Sequence, residues 1–557
     1  MATIQEALTE GLRLHQAGKL IEAERIYQEI VRVAPKHAKA WNLLSMVAFQ
    51  TGRPREAVER GERAIALHPD APEFLVNLGS AQVELGQLEK AIAVYQRALA
   101  IAPDFQLAIT NLAIAYGLVG RPQTALELLQ QADQASPNSP DILFQMGNLC
   151  EQMNNTDAAM SHYRRVLQLN PNHPQAAFNL GVLSGNQGQL QEALEYYRVA
   201  VRCKPDHVAA LNNLGRLYVD LGRYGEALHT LERALGYEPK HPGTHMNLGL
   251  LRLLLGDFER GWAEYEWRTQ VQPTKWPKYP VPVWDGTPNP TQTILLQAEQ
   301  GAGDAFQFIR YAKLVRERVR RVYVRCRPEL VGLLSKCQGV DACFSTDERL
   351  PSFDAYVLLM SLPKVCGTTL ETIPGECPYL LAEHASVTKW QTKLKPLTKF
   401  RVGIAWSGSP LHHRDRWRSF PLSKFRVLAE REEIELVNLQ MIHGTEQLQD
   451  WSGPKIHDFT GEIDHAVGFD ELAGLISNLD LVITCDTSLA HLSGALGVRC
   501  WVVLASTLDW RWGLQTDDSP WYPTVRLFRQ TRLGEWDLSF RQIVWALEEL
   551  VATRRCE

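Results

Sequence analysis

Proline recurs at positions 35, 69, 103, 137, 171, 205 and 239, each 34 residues after the last. Glycine keeps the same step at 18, 52, 86, 120, 188, 222 and 256, with Asn154 in the one gap. Alanine keeps it at 23, 57, 91, 125, 159, 193 and 227. Three series in one phase define a repeated supersecondary unit that cannot bury its apolar face alone and has to stack on its neighbours. Each series has its own cause. Glycine or asparagine tolerates a left-handed backbone between two helices. Alanine on the second helix is small enough for a close helix approach, and proline opens the link to the next unit because it cannot continue a helix. Trp41, Leu78, Tyr95, Tyr163 and Tyr197 recur at helical spacing and are expected to fill the space between helices.

This period and these residue types resemble tetratricopeptide repeats, and the resemblance implies an α-helical solenoid of eight units over residues 1–270. The last unit departs from the pattern. Gly261 replaces the small alanine, and Trp262, Tyr265 and Trp267 crowd its second helix, as suits a capping repeat docked on the following domain. Asparagine occupies the sixth position of several repeats, at Asn77, Asn111, Asn179, Asn213 and Asn247, with Leu43 and Gln145 interrupting the row. A primary amide both donates and accepts, so a row of them on the first helices can hold the backbone of an extended peptide. Here the chain resembles the repeat region of O-linked N-acetylglucosamine transferases, in which an asparagine ladder does this. The alternative is that Asn-Leu-Gly is ordinary repeat vocabulary.

Residues 271–290 carry six prolines without helical patterning and read as an extended linker whose two tryptophans pack against something. Beyond it, short apolar strands alternate with amphipathic helices, a pattern that gives parallel sheets covered by helices. Strands are expected at Thr293–Ala298, Val322–Arg325, Ala355–Leu359, Arg401–Trp406, Glu435–Leu439, Asp480–Thr484 and Cys500–Leu504. Helices are expected at 304–319, 423–431, 469–478, 487–496 and 537–554, the last returning to brace the first lobe. A polar stretch near 382–400 divides the series into an N-terminal Rossmann-like lobe at 291–390 and a C-terminal Rossmann-like lobe at 391–557. Ligands in such sheets sit at the carboxyl ends of strands, where loops enter helix N-termini.

Composition narrows the function classes. A net charge of −5 in 557 residues argues against a broad nucleic-acid footprint, and the run Arg316, Arg318, Arg320, Arg321 reads as a solvated helix end. Ten cysteines without C-x-x-C spacing suggest reduced, buried thiols rather than a zinc ribbon. The N-terminal residues show no signal-peptide pattern, and no apolar run approaches bilayer length, so a cytoplasmic protein without a membrane span is expected.

Three motifs fall at strand ends. The first is Gln297-Ala298-Glu299-Gln300-Gly301-Ala302-Gly303-Asp304, where Gly301 and Gly303 permit close approach of a backbone or ligand. Residue 306 is phenylalanine, so the dinucleotide glycine fingerprint is incomplete. Asp304 is either a general base facing a cleft or a helix cap. In the second, Asp486-Thr487-Ser488-Leu489-Ala490-His491 follows a buried strand, and its amides and hydroxyls suit a diphosphate, with His491 one turn in. The third is Gly403-Ile404-Ala405-Trp406-Ser407-Gly408, followed by His412, His413, Arg414, Asp415, Arg418 and Ser419, a small-residue loop with cations for phosphate.

Together these motifs, between about 292 and 550, resemble heptosyltransferase-like glycosyltransferases of the GT-B fold. The resemblance implies two Rossmann-like lobes, with Asp304 as catalytic base and Asp486, Thr487, Ser488 and His491 at the donor. Gly301, Gly303, Ser407, Gly408, Arg414 and Arg418 are implied as further donor contacts. The lysine that follows the Gly-Ile-x-Trp strand in that family has no clear match. The expected function is inverting transfer of a sugar from a nucleotide diphosphate sugar to an acceptor, including a protein recruited by the repeats. A non-catalytic scaffold is the alternative, and an oxidoreductase is disfavoured by the glycine fingerprint. Metal independence and no cofactor are expected, since Asp517-Asp518 lacks Asp-x-Asp spacing. Oligomeric state is left open.

Overall fold

The computed structural model describes residues 3–412, 414–463, 468–507, 509–514 and 516–554. His413 and Cys556 therefore lie outside the described residues. The chain divides into two compact units, 1–210 and 211–557.

The first unit is built of helical hairpins, from Ile4–Gln16 with Leu20–Val33 to Pro174–Asn186 with Leu190–Cys203. The glycines between paired helices are left-handed, with φ of 74° at Gly18, 70° at Gly86 and 81° at Gly188, and Asn154 takes the same role at 58°. Ala23, Ala57, Ala91, Ala125, Ala159 and Ala193 are all fully buried. A second small residue faces the core tyrosines. A Cβ on Gly79 would lie 2.4 Å from the Tyr95 ring, and Gly147 and Gly181 stand in the same relation to Tyr163 and Tyr197. Gly79→Ala would therefore push a ring out of a packed hairpin, where one extra methyl costs about 1–3 kcal/mol.

The second unit begins with two more hairpins and continues into two parallel sheets. Its hairpins are Val208–Asp220 with Tyr224–Tyr237, and Pro242–Leu254 with Phe258–Tyr265. The expected docking of the last repeat is realised here. Trp262 is 2% exposed and meets Trp510 edge-on at 5.1 Å and Phe308 at 6.3 Å. Arg268 is buried and pairs with Glu266 at 2.6 Å and Glu299 at 3.0 Å. The repeats run on to about 270, but the boundary between the compact units falls at 210, because the last two hairpins bury their faces against the sheet half.

The linker is extended and partly paired. The Trp284 N–H donates to the carbonyl of Tyr356 at 2.7 Å, and the Tyr356 N–H donates to that of Pro282 at 3.1 Å. Trp284 itself is buried.

The first sheet has the order β3-β2-β1-β4, from β1 (Asn289–Gln297), β2 (Val319–Cys326), β3 (Ala342–Ser345) and β4 (Ala355–Leu358). The second has the order β10-β9-β8-β5-β6-β7, from β5 (Phe400–Ala405), β6 (Ile434–Asn438), β7 (Ile456–His457), β8 (Leu481–Cys485), β9 (Cys500–Leu504) and β10 (Val525–Arg529). Every paired neighbour is parallel. β3, β7 and β10 are additions to the strands expected from the sequence. The expected helix 304–319 is three short pieces, Ala302–Phe308, Ile309–Tyr311 and Ala312–Arg316. Cys485 and Cys500 are buried in β8 and β9.

The helix Asp537–Arg554 does not brace the first lobe. Its Phe540 packs at 5.3 Å on both Phe420 and Phe425, and Ile543, Ala546 and Leu547 join the core of the second sheet. An apolar face complementary to its own lobe decides the matter. The helix His384–Leu394 likewise joins the second sheet's side, where the Trp390 indole N–H donates to Glu471 at 3.1 Å. No described helix is long and apolar enough to cross a membrane.

Candidate functional site

Both sheets reverse their strand order at one place. In the first, β1 has β2 on one side and β4 on the other; in the second, β5 and β8 are neighbours from which the order runs outward in opposite directions. Open parallel sheets bind ligands in the crevice at such switch points, beyond the carboxyl ends of the strands. The three sequence motifs leave the carboxyl ends of β1, β5 and β8, so they fall at the switch points.

The β1 and β8 motifs are in contact. The helix Ala302–Phe308 meets the helix Ser488–Ala495, and a Cβ on Gly303 would lie 2.8 Å from the His491 ring and 3.3 Å from Cα of Ser488. Of the two approaches expected at Gly303, a backbone or a ligand, the structure has a neighbouring helix there. Gly301 is the N-cap of its helix, and its N–H donates to Asp304 Oδ2 at 2.9 Å.

Asp304 is both a cap and an ion-pair partner. While Oδ2 caps the helix, Oδ1 receives Nη2 of Arg511 at 2.5 Å from the turn that follows β9. Arg511 is not identifiable from the sequence, because nothing in Asp509-Trp510-Arg511-Trp512 signals that the turn reaches the other sheet. Its Nη1 pairs with Asp509 at 3.0 Å and its Nε donates to Gln307 Oε1 at 2.8 Å. The Trp510 ring lies 4.5 Å beneath the guanidinium. Burial works against the charge of Arg511, but Asp509 and Asp304 outweigh it and hold the guanidinium firmly protonated.

The β8 end offers an uncapped helix. Thr487 is the N-cap residue of Ser488–Ala495, but its side chain does not cap; its hydroxyl lies 3.3 Å from that of Thr484. Asp486 and Ser488 are half-buried. Loss of water, reinforced by the Asp509 carboxylate and opposed by Arg418, pushes the Asp486 carboxyl up to about 6. His491 is 6% exposed, with Nδ1 3.0 Å from the Tyr522 hydroxyl and its ring stacked 5.2 Å from Trp512. Burial, helped by Arg511, lowers its pKa to about 3, so the ring is neutral at physiological pH. It can hydrogen-bond a ligand but brings no positive charge.

The β5 loop is internally satisfied. The N–H groups of Trp406 and Ser407 both donate to Gln440 Oε1 at 3.0 Å, and that of Gly408 donates to the Ser419 hydroxyl at 2.9 Å. The amides of Ser407 and Gly408 are therefore not open donors. Arg418 donates to Asp415 at 3.1 Å and to the carbonyl of Asp486 at 2.9 Å, tying the β5 loop to the β8 loop. A Cβ on Gly408 would lie 2.5 Å from Arg418 Nη2, so the guanidinium packs directly on this glycine. Arg414 pairs at 2.6 Å with Asp220 on the helix Val208–Asp220, so it anchors the loop to a repeat.

The asparagine row is linked from repeat to repeat. Asn77 donates to Asn42 at 3.0 Å, Asn111 to Ser80 at 3.4 Å, Asn179 to Asn148 at 3.3 Å and Asn247 to Asn212 at 2.9 Å. Asn213 accepts from Asn212 at 3.4 Å. Asn42, Asn148 and Asn212 stand outside the row expected from the sequence.

Comparison with known proteins bears mainly on the repeats. Residues 8–63 match the family described as tetratricopeptide repeat, and residues 59–260 match the cilia and flagella-associated protein 70 C-terminal domain. A curated relative, Protein FlbA of Caulobacter vibrioides (strain ATCC 19089 / CIP 103742 / CB 15), is 24% identical over 324 residues, covering 54% of each chain. The chain thus spans about half the length of that relative. Among solved structures, the APC/C hetero-tetramer Cut9-Hcn1 is 17% identical, covers 48% of this chain and 53% of its own, and has a TM-score of 0.37. TTC0263, a thermophilic tetratricopeptide-repeat protein of Thermus thermophilus, is 22% identical, covers 32% and 98%, and scores 0.30. A tetratricopeptide repeat protein from Parabacteroides merdae ATCC 43184 is 17% identical, covers 44% and 98%, and scores 0.37. The N-terminal region is a solenoid of tetratricopeptide repeats, an architecture of protein interaction, followed by an α/β region of parallel sheets.

Proposed function

We propose that the α/β region is a GT-B-type glycosyltransferase that moves a sugar from a nucleotide diphosphate sugar to an acceptor recruited by the repeats. The observation that carries this reading is the meeting of the two switch points, with the uncapped helix Ser488–Ala495 facing the helix that bears Asp304. Amides at a helix N-terminus suit a diphosphate. Asp304 would take the proton of an acceptor hydroxyl, whose oxygen attacks the anomeric carbon as the nucleoside diphosphate departs, inverting configuration. Asp486 and His491 would then orient the donor, and Thr487 and Ser488 would hold its phosphates. Developing negative charge on the leaving group calls for fixed donors or cations.

A thermal-shift screen against nucleotide diphosphate sugars tests this. One of them should raise the melting temperature of the full chain, and Asp486→Ala should remove the shift. No shift with any would favour a second reading, a repeat scaffold with a non-catalytic α/β region. One observation favours that reading: both oxygens of Asp304 are already engaged, one by the Gly301 N–H and the other by Arg511.

A further inference from the structure

The cations that the sequence offers for phosphate have other duties. Arg414 holds Asp220, and Arg418 lies under Gly408 with its Nη1 on the Asp486 carbonyl. Arg511 differs from both in reaching the candidate base of the opposite sheet. Its three nitrogens divide between the sheets: Nη1 goes to Asp509 in its own turn, while Nη2 and Nε go to Asp304 and Gln307 on the first lobe.

We propose that Arg511 is a positioning residue that couples the two halves of the site: a donor diphosphate and Asp304 compete for its guanidinium, and diphosphate binding releases Asp304 to act as base. This rests on the donor-site reading above. A planar guanidinium prefers a bidentate partner, and a diphosphate presents paired oxygens that a shared carboxylate oxygen does not. The exchange is selective. Asp509 also accepts the Arg511 backbone N–H at 3.0 Å, so Asp509 and Arg511 belong to one turn and remain together. Asp304 belongs to the other sheet and is the partner that can be left behind. When no diphosphate is bound, Asp304 stays paired, so an acceptor hydroxyl meets no available base.

The test is binding of nucleoside diphosphates (UDP, GDP, ADP and CDP), measured by titration calorimetry on the full chain. Asp304→Asn removes the competing charge and should tighten binding about three- to tenfold, whereas Arg511→Gln should weaken it about tenfold or more. In Asp304→Asn/Arg511→Gln the gain from Asp304→Asn should vanish, because the two changes act through one ion pair. Arg511→Lys keeps the charge without the fork and should recover only part of the affinity. Circular dichroism and melting temperature identify any variant that fails to fold, and Arg511→Lys then carries the test. A gain from Asp304→Asn that persists without Arg511, or wild-type affinity in Arg511→Gln, overturns the coupling. Absence of binding by the wild-type chain to all four overturns the donor-site reading itself, an outcome separate from a failed coupling.

Discussion

Gly303 and His491 touch across the two sheets: a Cβ on the glycine would lie 2.8 Å from the imidazole ring, which is itself 6% exposed and held by Tyr522. The ring has nowhere to move, since Trp512 stacks on it at 5.2 Å. Gly303→Ala should therefore destabilise the second unit by about 1–3 kcal/mol, the usual cost of forcing a methyl into a packed seam. Gly236, inside the helix Tyr224–Tyr237, would carry a Cβ with nothing within 4 Å of it and is the control. Gly236→Ala should be neutral or stabilising by up to about 1 kcal/mol. Denaturant midpoints compare the two, and equal stability would show that the helices do not meet this closely.

Glu299 makes stability depend on pH. Its carboxylate is 4% exposed, pairs with Arg268 at 3.0 Å and accepts the Leu359 N–H at 2.9 Å. Burial pushes its pKa up to about 7 in spite of Arg268. A carboxyl whose folded pKa lies above its unfolded value near 4.3 favours the folded state when protonated. The advantage is full below about pH 4 and is lost as pH rises through 7. For this group alone the difference between the two ends is on the order of 3 kcal/mol. Glu299→Gln should flatten the pH dependence of the melting temperature between about pH 5 and 8, and an unchanged slope would refute the assignment.

The repeat array is legible because each constraint recurs. Ala57, Ala91 and Ala125 have to be small and Gly52, Gly86 and Gly120 have to turn left-handed, so three independent series carry one message. Tyr95 and its neighbours read as core, but the glycines facing them, Gly79 and Gly147, do not stand out because a small residue on a helix has no signature of its own. In the second unit, the strands with buried apolar runs are legible, whereas β7 is two residues long, β3 is mostly half-buried and β10 interleaves arginines in Val525-Arg526-Leu527-Phe528-Arg529. The candidate site is legible only as three strand ends. Arg511 is not, because its partner Asp304 is 207 residues away and the turn that aims it carries no motif. Nor does the sequence distinguish open amides from satisfied ones: Ser407 and Gly408 look like a phosphate loop until Gln440 and Ser419 are brought beside them.

Asp486 should make donor binding strengthen in acid. With the carboxyl pushed up to about 6, the proton enters as pH falls from about 8 towards about 5.5 and removes one negative charge from a site rich in aspartates. The protonated acid also donates a hydrogen bond, which the ionised form cannot. A nucleotide diphosphate sugar is the proper probe, because its pyrophosphate has no terminal group to titrate in that range. Affinity for the sugar nucleotide found in the thermal screen should rise several-fold between about pH 8 and 5.5, about a factor of ten per 1.4 kcal/mol gained. Asp486→Asn, a neutral donor of similar shape, should bind in mild alkali as the wild type does in mild acid and lose the dependence. A wild-type affinity that is flat, or that falls in acid, would remove Asp486 from the site.

The amide row in the repeats makes a prediction that needs no ligand. Asn77 donates to Asn42, a residue only 6% exposed, so Asn77→Ala leaves a buried acceptor without this partner. An orphaned buried carbonyl costs about 1–3 kcal/mol, more than the bond itself contributes. Asn77→Ala should therefore destabilise the first unit by about 1 kcal/mol or more. Asn42→Ala/Asn77→Ala should then cost clearly less than the sum of the single changes, because residues in one hydrogen bond do not act independently. Chemical denaturation followed by far-ultraviolet circular dichroism reads the helices directly. If Asn77→Ala leaves stability untouched, the Asn77–Asn42 hydrogen bond is not formed within the solenoid.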